Sequence, residues 1–149
     1  MVKSNYSKYL VTKPIYEAGT PVKGRQSPTM TLMSNALVPG CNMYLKVGWI
    51  WDMPTPNPHI HEHSHSFDEI VLHIGSDPDN PEDLGGEIEY VMAGEPLVFN
   101  KTSALFVPAG VKHGPLTWKK FSRPHLEMAI MIGTGSFKEG WPAGTGEPK

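Results

Sequence analysis

One cysteine, Cys41, stands in a chain of 149 residues. No intrachain disulfide can form, so the chain does not read as a small secreted disulfide scaffold. An excess of charge is missing too: 13 Lys and Arg against 15 Asp and Glu leave a net charge of −2. That balance gives no electrostatic footprint for nucleic acid or an anionic membrane. No apolar run approaches the length of a membrane span. The stretch from Met1 to Pro14 mixes Lys, Tyr and Ser, without the apolar segment of a signal peptide. Gly-rich phosphate loops and nucleophile elbows are absent. Cys41 follows Pro39-Gly40 in a turn with no helix N-terminus to activate it, so nucleophilic catalysis has little support. These absences lead to the expectation of a soluble cytoplasmic protein whose partner is a small molecule.

Glycine and proline are plentiful, 15 of each. They suit many short strands joined by turns, and the length suits one domain. The patterning predicts an all-β chain with no long helix and no internal repeat. Residues 1–28 read as an N-terminal arm with short strands, about 29–132 as a barrel, and 133–149 as a Gly/Pro-rich tail anchored by Phe137 and Trp141. Strands are expected over 29–38, 42–51, 63–74, 87–92, 97–100, 103–107, 113–118 and 125–132. In the second of these, Met43, Leu45, Val47, Trp49 and Trp51 alternate with Asn42, Tyr44, Lys46, Gly48 and Ile50. The apolar, aromatic set is expected to face the interior.

Five of the seven histidines, His59, His61, His63, His65 and His73, fall between Pro58 and Gly75. In an extended chain alternate side chains share a face, which gathers His63, His65, Glu69, Val71 and His73 on one side. Imidazoles and a carboxylate converging in this way are what a metal ion requires. Asp68 would lie on the opposite face, so parity favours Glu69. Further on, Pro108-Ala109-Gly110 forms a tight turn that delivers His113 onto a new strand.

The order His63-x-His65-x3-Glu69, then Pro108-x-Gly110-x2-His113, resembles the two signature motifs of the cupin superfamily. The resemblance spans about residues 45–132. It implies a single cupin-type double-stranded β-helix (jelly-roll) barrel in which His63, His65, Glu69 and His113 bind one metal ion. It also implies a homodimer formed by pairing of sheets. Fe, Mn, Ni, Co, Cu and Zn all accept this ligand set. Three neutral imidazoles and one carboxylate around a divalent ion leave a net charge of about +1, suited to an anionic or enolic oxygen.

Other residues have two readings each. His61, His73 and Glu62 are candidates for a general base beside the ion. His59 and His61 read as surface or ligand-supporting histidines, and His73 as a hydrogen-bonded core residue or a ligand support. His125 and Glu127 line the cavity or form an outer-face pair. Trp49, Trp51, Phe106 and Met128 are plain core, or they wall a pocket for an apolar or aromatic substrate. With Fe the resemblance implies a dioxygenase acting on an enol, diketone or phenolic compound. With Zn, Mn or Ni it implies an isomerase, decarboxylase or hydrolase of a keto or hydroxy acid. A non-catalytic small-molecule-binding protein is the rival reading.

Overall fold

The computed structural model describes residues 4–136. A 3-10 turn, Ser7–Tyr9, precedes ten strands: β1 (Ile15–Ala18), β2 (Lys23–Arg25), β3 (Thr29–Met33), β4 (Met43–Thr55), β5 (Asp68–Gly75), β6 (Asp83–Met92), β7 (Glu95–Lys101), β8 (Ser103–Val107), β9 (His113–Phe121) and β10 (His125–Ile132). Among the described residues there is no α-helix, and no helix long and apolar enough to cross a membrane.

A seven-stranded sheet has the order β1-β3-β4-β10-β5-β8, with β2 paired to β4. A three-stranded sheet has the order β7-β6-β9. Every pairing is antiparallel. The two sheets pack face to face. Ile50, Val71 and Val107 of the large sheet meet Ile88, Tyr90, Leu116 and Trp118 of the small one in a single buried cluster. Burial of these side chains is the main driving force for closing the barrel.

β10 runs between β4 and β5, and its register stacks the interior side chains in levels. Successive levels are His125 with Ile50 and Gly75; Glu127 with Gly48 and His73; Ala129 with Lys46 and Val71; and Met131 with Tyr44 and Glu69. Same-face residues on a strand lie about 6.6–6.8 Å apart, so these levels form a graded interior wall.

The wall corrects the expected orientation of β4. Tyr44, Lys46, Gly48 and Ile50 are buried, whereas Trp49 and Trp51 are 40% and 52% exposed. Phe106 is likewise exposed, at 53%. Hydrophobic alternation misleads here because the barrel interior is itself polar. Met43, Leu45, Val47, Trp49 and Trp51 share the outer face of the sheet, beside outward residues of β10 and β5: Trp49 pairs with Leu126, and Leu126 with Ile74.

Other boundaries shift as well. β5 begins at Asp68, so residues 63–67 are not part of a continuous strand; a lone bridge pairs His63 with His113. β3 ends at Met33, and β1 and β2 join the large sheet, so the region expected as an arm contributes to the barrel. Phe137 and Trp141 lie outside the described residues.

Candidate metal centre

Two segments far apart in sequence meet at the mouth of the wall. His63 and His113 exchange both backbone hydrogen bonds, each 2.9 Å long. In such a pair the two side chains project to the same side, and the rings lie 4.3 Å apart between centroids. The turn before β9 holds this arrangement. Gly110, at φ +81°, donates its N–H to the carbonyl of His65 at 2.8 Å. Glycine adopts this φ without steric cost.

One ring nitrogen from each of His63, His65 and His113 lies within 4.8 Å of the others. In all three rings Nδ1 faces a main-chain carbonyl: His63 that of His61 at 2.7 Å, His65 that of Phe67 at 3.0 Å, and His113 that of Val111 at 2.8 Å. A carbonyl only accepts, so each Nδ1 carries the proton and donates. Nε2 is therefore the nitrogen left to point inward. Backbone support of this kind is how metal-binding histidines are held in one tautomer and orientation.

Glu69 Oε2 lies 3.2 Å from His65 Nε2. Burial alone would lower the affinity of His65 for a proton, but the Glu69 carboxylate prevails and holds the ring above the usual imidazole range. In His63 and His113 burial dominates and pushes the rings below that range, toward the neutral form a metal needs. His113 Nε2 is buried with no hydrogen-bond partner. An inward-facing lone pair without a partner, beside two more imidazoles and a carboxylate, fits a cation. The donor set of nitrogens and one oxygen suits a divalent transition metal.

The structure therefore brings together His63, His65 and His113, with Glu69 at His65. Asp68 lies elsewhere, accepting the N–H of Ala109 at 2.8 Å. His61 and Glu62 are exposed. His59 is buried, not on the surface, and stacks on Trp118 with centroids 5.2 Å apart. His73 is buried with Nε2 3.6 Å from Glu127 Oε2. His125 is buried and locked: it accepts the Trp118 indole N–H at Nε2 (3.0 Å) and donates from Nδ1 to the Arg123 carbonyl.

A cavity is lined by His63, Glu69, Lys46, Val71, Ala129 and Glu127. Met128 borders it, but Trp49, Trp51 and Phe106 do not. Lys46, Tyr90 and Thr29 line it as well; sequence reasoning passed over these three. A lone lysine amid the apolar alternation of residues 43–51 was the available signal that the polar face of β4 looks inward. Gly114 was also overlooked. At φ +101°, a Cβ there would stand 2.6 Å from the His61 carbonyl oxygen, the acceptor that orients His63.

No protein-family model matches the sequence, and no curated protein matches it either. Solved structures do match. An RmlC-like cupin from Shewanella frigidimarina superposes with a TM-score of 0.50 at 12% identity, covering 85% of this chain and 89% of that one. A predicted oxalate decarboxylase from Thermotoga maritima superposes with a TM-score of 0.50 at 13% identity, covering 85% and 95%. With its two antiparallel sheets closed around a histidine-lined interior, the chain is an all-β protein with the cupin fold.

Proposed function

We propose that this protein is a mononuclear metal-dependent cupin acting on a small oxygenated organic acid or enol. The observation that carries the reading is the set of three Nδ1 atoms facing backbone carbonyls, with one ring nitrogen each of His63, His65 and His113 within 4.8 Å of the others and the Glu69 carboxylate 3.2 Å from His65 Nε2. His63, His65, His113 and Glu69 would hold the ion. A bound divalent ion would supply Lewis acidity toward a chelated oxygen and, if redox-active, electron transfer.

The chain's own residues do the rest. Lys46 lines the cavity together with the carboxylates of Glu69 and Glu127. Ile60, Val71 and Leu116 supply an apolar flank. Iron with oxygen uptake would make the protein a dioxygenase; zinc, manganese or nickel without it would make it an isomerase, decarboxylase or hydrolase. Elemental analysis of untagged protein, followed by oxygen-electrode and turnover assays with enols and keto acids, tests the reading. Less than 0.1 equivalent (roughly a tenth) of any transition metal, even after reconstitution, would end it.

We also propose a homodimer. Leu45, Ile130, Ile70 and Phe106 pair in sequence across four neighbouring strands of the large sheet, with outward side chains that are half-buried or exposed. A contiguous apolar face of this kind marks an interface. Light scattering on wild type and Ile130→Glu should give a dimer and a monomer respectively; a wild-type monomer at high micromolar concentration rejects it.

A further inference from the structure

The polar side chains on the cavity wall are Thr29, Lys46, His63, Glu69, Tyr90 and Glu127. Most are engaged within the protein. Thr29 donates to the Ala18 carbonyl at 3.1 Å, His63 Nδ1 faces the His61 carbonyl, and Glu69 lies against His65. Lys46 is not free either. Glu127 is held from behind the wall: its Oε1 is 3.9 Å from Arg25 Nη1 and its Oε2 3.6 Å from His73 Nε2. Burial would raise the Glu127 carboxyl, but His73, His59 and Arg25 outweigh it and hold the group well below the usual carboxylate range. Arg25, His59 and His73 are buried and do not border the cavity, so this cluster keeps Glu127 ionised from the core side.

Tyr90 is different. It is 2% exposed, and among the described residues its hydroxyl has no hydrogen-bond partner. A buried hydroxyl left unpaired costs free energy that native interiors seldom carry. The phenol also stands at the metal centre, not at the far end of the cavity. Its ring is edge-on to His113, with centroids 6.2 Å apart. Its strand, β6, pairs with β9 from His113 onward: Met92 with His113 and Tyr90 with Leu116. Burial, then the charges of Glu69 and Glu127, keep the proton on its oxygen. The group is therefore available as a donor.

Three imidazoles and a carboxylate around a divalent ion leave about one positive charge, and an anionic oxygen bound to such an ion is a strong acceptor. Because the phenol borders the triad, a guest need not reach along the barrel to meet it. We propose that the Tyr90 hydroxyl donates a hydrogen bond to an oxyanion bound at the histidine triad, and so selects carboxylate or enolate oxygen over softer donors of similar size. This rests on the metal-dependent reading.

Cobalt-loaded protein, titrated with acetate and with ethanethiol, tests it through the visible cobalt bands. Tyr90→Phe should weaken acetate about ten-fold, the scale of a hydrogen bond to a charged group. It should leave ethanethiol within about two-fold, since a thiolate sulfur accepts only weakly. The variant should take up cobalt as wild type does. Free of metal it should melt no lower, because the hydroxyl it loses has no partner in the protein. Unchanged acetate affinity, an equal loss for both ligands, or no acetate binding to wild type overturns the proposal. So does a lower melting temperature or failure to fold, which would mean that the hydroxyl is bonded inside the protein. Wild type that takes up no cobalt overturns the metal reading and this proposal together, whereas cobalt uptake with any of the other adverse results overturns this proposal alone.

Discussion

His113 and His63 are registered by the main chain before any ion is considered, through two reciprocal 2.9 Å hydrogen bonds. Removing one ring therefore need not move the other. His113→Ala should fold and lose more than ten-fold in metal affinity, since losing even a residue that only supports a ligand costs about 10–100-fold. His59→Ala should keep its metal. Mass spectrometry of purified variants checks this, and metal retained in the first but lost in the second would overturn the ligand register.

The two neighbouring carboxylates separate in the same way. Glu69→Gln should weaken metal binding, because the Glu69 oxygen lies 3.2 Å from His65 Nε2. Asp68→Asn should leave metal content unchanged, with a small drop in melting temperature, since Asp68 accepts the Ala109 N–H of the turn. The reverse pattern would exchange their roles.

Gly114 carries no chemistry yet should be intolerant of change. Alanine there brings a Cβ within 2.6 Å of the His61 carbonyl oxygen at a φ of +101°. Backbone strain of this kind costs on the order of 1–3 kcal/mol, and relief would displace the carbonyl that orients His63. Gly114→Ala should therefore lower the melting temperature and the metal affinity together. Parallel melts and metal titrations measure both.

Acid should destabilise the metal-free protein through His59. Burial lowers its pKa from 6.5 to about 4, against the pull of Glu127 and with Arg25, Lys46 and His73 adding to the fall. Between those values the unfolded chain binds the proton and the folded one does not. The contribution is thus complete above pH 6.5 and is lost as pH falls toward 4. A shift of this size corresponds to roughly 3 kcal/mol. Urea melts at pH 7.5 and 5 should show a smaller acid loss in His59→Phe than in wild type; equal losses would contradict it.

The convergence of the three histidines was legible through the resemblance to the cupin motifs and not through strand parity, because residues 63–67 lie outside β5 and His63 is set by its bridge to His113. Glu69 and His73 follow the same parity inside β5, where both are buried. Trp49 and Trp51 show where such reading stops. Hydrophobic alternation identifies two faces but assigns the inside by assuming a dry interior. In this barrel Lys46, Glu69, His73 and Glu127 face inward, so the aromatic face turns out. The same inversion hid the Arg25–His59–Glu127 cluster, whose members come from three separate segments that no periodicity connects.

Ala129 occupies the level between Glu69 and Glu127, beside Lys46 and Val71, and borders the cavity. A single methyl group thus forms part of the cavity wall between the levels of the two carboxylates. Exchanging that methyl for a bulkier side chain would fill the interior at this level while leaving the three histidines and both carboxylates in place.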